Sequence, residues 1–180
     1  MLTATAAEFR DKYAHTREAC GGSLTIARTH DMETVRPILA HPTVWPHIHD
    51  DGATEPQPLD LDGFVWLLVD DGEPAGVFLL HPHNTACWEV HTCLLPRLYG
   101  PQARQATQLC RAWMFTHTAC QKLITNVSAD NLLALRFAKR CGMTPEGVNR
   151  ESFLKNGELL DQHVLGLTKK EWQCQQQSQQ

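Results

Sequence analysis

The chain has 180 residues, of which 42% are hydrophobic and 20% charged, and it carries a net charge of −4. These values are typical of one compact globular domain and exclude wholesale disorder. The lysines and arginines are scattered, which argues against a nucleic-acid partner because phosphate neutralisation needs clustered cations. The apolar runs are far shorter than the roughly 18 residues of a membrane helix, and the charged stretch Glu8–Lys12 interrupts the N-terminus. We therefore expect no membrane partner, no secretory leader and a cytoplasmic location.

The first third of the chain predicts a mixture of helix, strand and irregular structure. Residues 1–22 are rich in helix formers and end in two glycines, so they predict an N-terminal helical extension. Ser23–Arg28 alternates and predicts a strand, and Asp31 is placed to cap a following helix. Residues 49–63 are rich in Asp, Pro and Gly and predict a segment without regular structure.

Three strands and a helix are predicted next. Phe64–Val69 and Ala75–Leu80 flank an Asp-Gly turn and predict a β-hairpin. Thr85–Leu95 is a longer run of strand formers and predicts a third strand. Pro101–Cys120 has helical spacing of its apolar residues, and proline suits the first turn of a helix.

The C-terminal third predicts a strand, a helix and a closing hairpin. Lys122–Val127 is predicted to be a short strand, and the next helix is expected to end before Gly142. Arg150–Leu154 and Leu159–Leu167 flank an Asn-Gly pair, which is the strongest two-residue hairpin signal in the chain. The Gln-rich tail, residues 173–180, is predicted to be frayed.

One stretch of sequence resembles a known family. Residues 131–147 read Asn-Leu-Leu-Ala-Leu-Arg-Phe-Ala-Lys-Arg-Cys-Gly-Met-Thr-Pro-Glu-Gly. With the order of the elements, this resembles the GNAT superfamily of acyl-CoA N-acyltransferases, whose pattern is Asn-x-x-Ala/Ser, a helix ending in Gly-Phe, then Glu-Gly. Met143 stands where the family has Phe. The resemblance covers residues 23–172 as one domain and is closest to protein N-terminal acetyltransferases. The stretch Trp88–Pro96 is similar to GNAT proteins of bacteriophages.

The resemblance implies a fold class and an activity. The expected fold is α+β, a mixed and mostly antiparallel central sheet flanked by helices, with a cofactor slot where two central strands splay. The expected activity is transfer of an acetyl group from acetyl-CoA to an amine by direct attack in a ternary complex. The acceptor is left open among a protein N-terminus, a lysine and a small amine. A host-cytoplasm location for a phage protein and assembly as a homodimer are further expectations.

The resemblance also implies residues that bind acetyl-CoA. The backbone around Cys93 and Leu94 would hold the pantetheine arm, and Asn131 would hydrogen-bond the cofactor. The family's phosphate loop is Gln/Arg-x-x-Gly-x-Gly/Ala, and this chain departs from it with Arg-Leu-Tyr-Gly-Pro-Gln-Ala-Arg over residues 97–104. Pro101 removes one donor N–H, but a helix N-terminus still favours an anion. The candidates for the pyrophosphate are Gly100, Gln102, Ala103 and Arg104.

Catalytic candidates follow from strand alternation and from the family chemistry. Glu89 and His91 share one face of the predicted strand and would form a base acting through water; a solvent-facing or neighbour-paired position is the other interpretation. Many GNAT enzymes have a Tyr acid where this chain has Ala138. Ser128 is the substitute candidate for the acid, and it or Asp130 is also a candidate helix cap. The altered phosphate loop and the missing Tyr motivate an alternative, a catalytically degenerate GNAT-fold binding or virion-associated phage protein.

The chain contains seven cysteines and ten histidines, an unusual number for its length. The odd cysteine count argues against a disulfide scaffold, and the lack of Cys-x-x-Cys argues against structural zinc. Two histidine pairs with a spacing of two, His47/His49 and His81/His83, have no third ligand that the sequence identifies. We therefore predict loop histidines in solvent and no metal cofactor.

Overall fold

The computed structural model describes residues 17–19 and 24–177. Its strands are β1 (Arg17–Ala19), β2 (Thr25–Thr29), β3 (Val65–Asp70), β4 (Pro74–Pro82), β5 (Cys87–Leu94), β6 (Lys122–Ser128), β7 (Thr144–Lys155) and β8 (Glu158–Thr168). Its helices are α1 (Met32–Leu39), α2 (Trp45–Ile48), α3 (Pro101–His117), α4 (Leu132–Arg140) and α5 (Lys169–Gln177), with a short 3₁₀ turn at Pro96–Leu98.

The eight strands form one sheet in the order β1-β2-β3-β4-β5-β6-β8-β7. Neighbouring strands are antiparallel except β5 and β6, which run parallel because α3 connects them as a crossover. The expected α+β class with a mixed, mostly antiparallel sheet is therefore confirmed. Within the part of the chain that the structure describes, no helix is both long and apolar enough to cross a membrane.

Helices cover both faces of the sheet. The larger core packs α3 and α4 against one face, and Trp113, Met114 and Phe115 of α3 are completely buried there. A smaller cluster on the other face joins Val35 and Ile38 of α1 to side chains of the central strands. The strands between these layers are therefore buried on both sides, which holds the centre of the sheet rigid.

A carboxylate ties the irregular segment 49–63 to the closing hairpin. Asn156 and Gly157 form the predicted two-residue turn, with φ of 54° and 77° as a type I′ turn requires. The two carboxylate oxygens of Asp51 each accept a backbone N–H of this turn at 2.7 Å, and the Asp51 N–H donates to the Leu154 carbonyl at 3.1 Å. The hydrogen bond from the Gly157 N–H and, to a smaller extent, the one from the Asn156 N–H hold the pKa of Asp51 below its usual value.

The structure corrects several predicted elements. The helical extension over residues 1–22 lies mostly outside the described residues, and the described part, β1, is a strand paired with β2. The short helix α2 was not among the predicted elements, and α5 includes residues of the tail that were expected to fray. Trp172 of α5 packs against Phe115 at 5.3 Å between ring centroids, and this contact holds the helix on the core. Strand β4 continues to Pro82 because β5 pairs with it that far.

Candidate active site

A slot opens in the middle of the sheet between β5 and β6. The paired register of these two strands ends at Glu89 and Ile124. On its other side, β5 stays paired with β4 as far as Leu94, and β6 stays paired with β8 as far as Ser128. The two strands therefore diverge beyond Glu89. From Val90 onward, the edge of β5 that faces β6 is no longer paired with it. The splayed slot expected at this strand is confirmed.

Two adjoining cavities extend the slot to the start of α3. The first is lined by side chains of the slot, including His91, Asn126 and Ser128. The second is lined by five of the residues that the resemblance assigns to the cofactor: Cys93, Leu94, Gly100, Ala103 and Asn131. Both cavities share Thr92 and Asn131. A continuous groove thus runs from the slot to the N-terminus of α3.

The N-terminus of α3 lacks a side-chain cap, so its first N–H groups are available to a ligand. Gly100 precedes it with a φ of +90°, and the space beside its Cα is open. Gln102 at this turn is exposed. Arg104 is exposed too, but its side chain lines a different cavity together with Arg140 and Gln175. The structure therefore brings Arg104 near the helix terminus without placing its side chain on the groove.

Arg97, the first residue of the altered phosphate loop, is engaged elsewhere. Its guanidinium bonds to the Asp71 carboxylate at 3.1 Å and to the carbonyls of Glu73 and Pro74 at 3.2 and 2.8 Å. The hydrogen bond from Arg97 lowers the pKa of Asp71. The side chain of Arg97 thus fastens the β3–β4 turn and is not directed to the groove.

Cys93 has its side chain on the opposite side of the sheet from α3. The thiol is buried in the cluster with Trp66 and Val77, and burial raises the pKa of Cys93 to about 12. A thiol of this pKa is protonated at neutral pH and is a poor nucleophile. Cys93 is therefore not a candidate nucleophile, and the cofactor contact that the resemblance implies for it concerns its backbone.

Asn131 is the N-cap of α4. Its side-chain oxygen accepts the Ala134 N–H at 3.1 Å, so the expected caps Ser128 and Asp130 are wrong. The physical reason is that the chain enters the helix one residue later than the pattern indicated. The hydroxyl of Ser128 lies beside Asp130 and lowers the pKa of that carboxyl, to which Lys155 Nζ also donates at 3.2 Å.

Glu89 lies at the vertex of the slot and is surrounded by three imidazoles. His83 Nε2 is 2.9 Å from Glu89 Oε2, and His91 Nε2 is 3.6 Å from Glu89 Oε1. His81 Nε2 is 3.0 Å from His91 Nε2 and 3.9 Å from Glu89 Oε2. We call these four residues the His–Glu cluster. The sheet creates it, because His81 is the cross-strand partner of Glu89 and His91 follows on the same face.

The charge state of the cluster follows from its surroundings. Burial alone would raise the pKa of Glu89, but hydrogen bonds from Asn126 and His83 outweigh it and lower that pKa. Burial lowers the pKa of both His81 and His91, although the Glu89 charge opposes this. At neutral pH the cluster therefore presents an ionised carboxylate beside two neutral imidazoles, each with a nitrogen able to accept a proton.

The structure brings together the predicted pair Glu89 and His91 and adds partners that were not predicted. His81 and His83 were expected to be loop histidines in solvent; this is correct for His83, which lies beyond β4 and is exposed, but His81 is a half-buried residue of β4, and both contact this pair. Asn126 hydrogen-bonds Glu89 from β6. The spacing of two was a usable signal, because His81 lies on β4 and His83 one residue beyond its end, and their rings stack at 5.7 Å between centroids. Ser128, the predicted acid, lies on β6 and lines the slot.

Comparisons with known proteins agree with this architecture. A family model described as an acetyltransferase (GNAT) domain matches residues 23–144. A search of curated proteins found no match. Among solved structures, the chain is similar to spermidine N-acetyltransferase from Vibrio cholerae in complex with CoA and spermine, with 17% identity, a TM-score of 0.70, and coverage of 84% of this chain and 98% of that chain.

Two further solved structures have the same fold. A GCN5-related N-acetyltransferase from Brucella melitensis is 16% identical, has a TM-score of 0.74, and matches 93% of this chain and 85% of its own. A probable GNAT-family acetyltransferase from Chromobacterium violaceum is 15% identical, has a TM-score of 0.66, and matches 86% of this chain and 92% of its own. Since the family model spans most of the chain, and the sheet carries the slot, the chain belongs to the GNAT acetyltransferase family.

Proposed function

We propose that this chain transfers an acetyl group from acetyl-CoA to the nitrogen of an amine by direct attack in a ternary complex. The observation that carries the proposal is the position of Glu89. This buried carboxylate lies where the pairing of β5 and β6 ends, at the inner end of an open slot. A carboxylate at that point can receive a proton from a nucleophile that approaches the slot.

The groove supports a path for acetyl-CoA. The pantetheine arm would pair with the backbone of β5 at Cys93 and Leu94, as an added strand would. The pyrophosphate would accept N–H groups at the start of α3, where Gly100, Gln102 and Ala103 lie and where the helix dipole favours an anion. Asn131 would contact the cofactor with the part of its amide that does not cap α4.

The His–Glu cluster supports the proton transfers. The ammonium of the acceptor would give one proton through water to His91 or Glu89. Its nitrogen lone pair would then attack the thioester carbon, and the carbon–sulfur bond would break. Ser128, on the facing edge of the slot, would protonate the departing thiolate and take back a proton from the nitrogen of the new amide. The similar Vibrio cholerae enzyme was solved with spermine. Polyamines are therefore the first acceptors to test, followed by peptide N-termini and lysine.

Replacement of Glu89 by glutamine tests the proposal because it preserves shape and removes the carboxylate on which the proposed Glu89–His91 base depends. Release of the CoA thiol would be followed with spermidine and with a peptide as acceptor. General-base catalysis typically contributes about 100- to 10,000-fold, so Glu89→Gln should lower kcat by at least the smaller factor. Glu158→Gln on β8 is the matched control, since Glu158 is exposed and outside the slot. Equal turnover by Glu89→Gln and the control would reject the assignment.

Acetyl-CoA binding separates catalysis from the alternative role. Calorimetric titration should show binding of one cofactor per chain. If no heat is observed at millimolar acetyl-CoA, the enzyme proposal fails. The degenerate GNAT-fold binding or virion-associated protein would then be the better account of the altered phosphate loop. Kinship with bacteriophage and N-terminal acetyltransferases stays a prediction.

A further inference from the structure

Three side chains of the His–Glu cluster point their donor atoms at one small region. One ring nitrogen of His81, one of His91 and one carboxylate oxygen of Glu89 lie within 4.8 Å of one another. We propose that these three residues form a binding site for one divalent transition-metal ion of the zinc class. The site goes beyond acetyl transfer, since neither the fold nor the proposed reaction needs a metal.

The distances suit a small ion. In zinc sites the metal–nitrogen and metal–oxygen bonds are about 2.0–2.2 Å, which places tetrahedral ligand atoms about 3.3–3.6 Å apart. The separations here are 3.0 Å between the two imidazole Nε2 atoms, 3.6 Å from His91 Nε2 to Glu89 Oε1, and 3.9 Å from His81 Nε2 to the other carboxylate oxygen, Glu89 Oε2. An ion therefore fits after sub-ångström adjustments of side chains. Three protein ligands leave a fourth position for water, and His91 faces the cavity of the slot.

The surroundings hold the ligands in place. His81 and Glu89 are paired across antiparallel strands at the centre of the sheet, so their separation is fixed by the backbone. The His81 ring stacks against Phe64 at 5.5 Å and against His91 at 5.2 Å between ring centroids. His83 contacts the carboxylate at 2.9 Å, as outer partners of metal ligands commonly do. Such an arrangement lowers the cost of ordering the side chains around an ion.

The donor set determines the class of ion. Two imidazole nitrogens and one carboxylate suit Zn²⁺, Ni²⁺, Cu²⁺ or Co²⁺, whereas Mg²⁺ and Ca²⁺ prefer oxygen ligands only. An ion bound here would occupy both Glu89 and His91. If these two residues are the base, as the proposed function holds, the ion inhibits acetyl transfer. Binding itself requires neither acetyl-CoA nor turnover.

Titration of the chelator-treated protein with Co²⁺ tests the site directly. Co²⁺ is chosen because its visible spectrum separates nitrogen and oxygen ligands from thiolates, and the chain has cysteine thiols outside the His–Glu cluster, including the exposed Cys174. We expect one Co²⁺ per chain without a thiolate charge-transfer band, displacement by Zn²⁺, and no binding of Mg²⁺. Absence of Co²⁺ binding, or a thiolate spectrum, would overturn the proposal; His81 and His91 would then only share a hydrogen bond.

Variants test the ligand assignment. His81→Gln keeps a polar side chain of similar reach and should weaken Co²⁺ binding at least tenfold, with circular dichroism confirming the fold. His30→Gln is the matched control, because His30 also pairs with a carboxylate, Asp60 at 3.0 Å, but lies outside the cluster. Equal Co²⁺ affinity of wild type and His81→Gln would overturn the assignment. In a separate measurement, Zn²⁺ should inhibit the release of CoA, and a chelator should restore that release. A zinc-loaded enzyme with full activity would refute the inhibition while leaving the acetyl-transfer proposal standing.

Discussion

Gly76 of β4 is the position at which one added methyl group would press on β5, the strand that lines the groove. Gly76 is the cross-strand partner of Leu94 on β5. A Cβ at this position would lie 2.6 Å from Leu94 Cδ2 and 2.9 Å from the Cys93 carbonyl oxygen. Carbon atoms in contact prefer about 3.5–4.0 Å. Gly76→Ala must therefore displace both a side chain and the backbone of β5.

The cost can be estimated from two opposing effects. Overpacking a close-fitted interior typically costs about 1–3 kcal/mol. Replacing glycine by alanine also restricts the unfolded chain, which returns about 0.4–1 kcal/mol. Because one of the two short contacts is with backbone, we expect a net loss of about 2 kcal/mol in the free energy of unfolding. For a protein of this size, that loss lowers Tm by about 4–8 °C.

Thermal unfolding followed by circular dichroism measures this loss against a matched control. Gly147→Ala on β7 makes the same chemical change, but its Cβ would have no atom within 4 Å. The control should unfold at or slightly above the wild-type temperature, while Gly76→Ala should unfold below it and bind acetyl-CoA more weakly. If the two variants unfold at the same temperature, the packing argument at β5 is wrong.

Two further predictions concern the cap of α4 and the hairpin clamp. Asn131→Ala should lower the free energy of unfolding by about 1 kcal/mol through loss of the cap, whereas Asn131→Ser should retain the cap. Both variants should raise the Kd for acetyl-CoA measured by calorimetry. An unchanged Kd would reject the cofactor contact. The Asp51 pKa is lowered in the folded state, so its stabilisation is complete above the unfolded pKa of about 3.9 and is lost as pH falls through the folded value. Urea unfolding of wild type and Asp51→Asn should therefore differ at neutral pH and converge in acid; an equal difference at both pH values would contradict the clamp.

Local signals were sufficient for most of the fold. The Asn156-Gly157 turn and the Asp31 cap are encoded by the residues that form them, and both are observed. Strand β1 was not predictable in this way, because three residues at a sheet edge are held by pairing with β2 rather than by their own propensity. The same holds for the end of β4, where the sequence indicated a stop at Leu80.

The site was predictable only in part, for a related reason. Alternation along β5 placed Glu89 and His91 on one face, and the structure brings them within 3.6 Å. The approach of His81 depends on the register between β4 and β5, which no single strand contains. Asn126 depends on a still longer connection, since α3 separates β6 from β5. The partners of a predicted residue are thus harder to find than the residue itself.

The short stretch of pairing between β5 and β6, which we call the seam, suggests how a ligand in the slot would affect the stability of the sheet. Three residue pairs, Cys87 to Glu89 with Lys122 to Ile124, join one half of the sheet to the other. A ligand whose amides bond to the edge of β5 and whose flank packs against β6 would bridge the two halves beyond the seam. Such a ligand would slow hydrogen exchange at amides on both halves of the sheet. Ligand binding would therefore also stabilise the sheet against separation of its two halves.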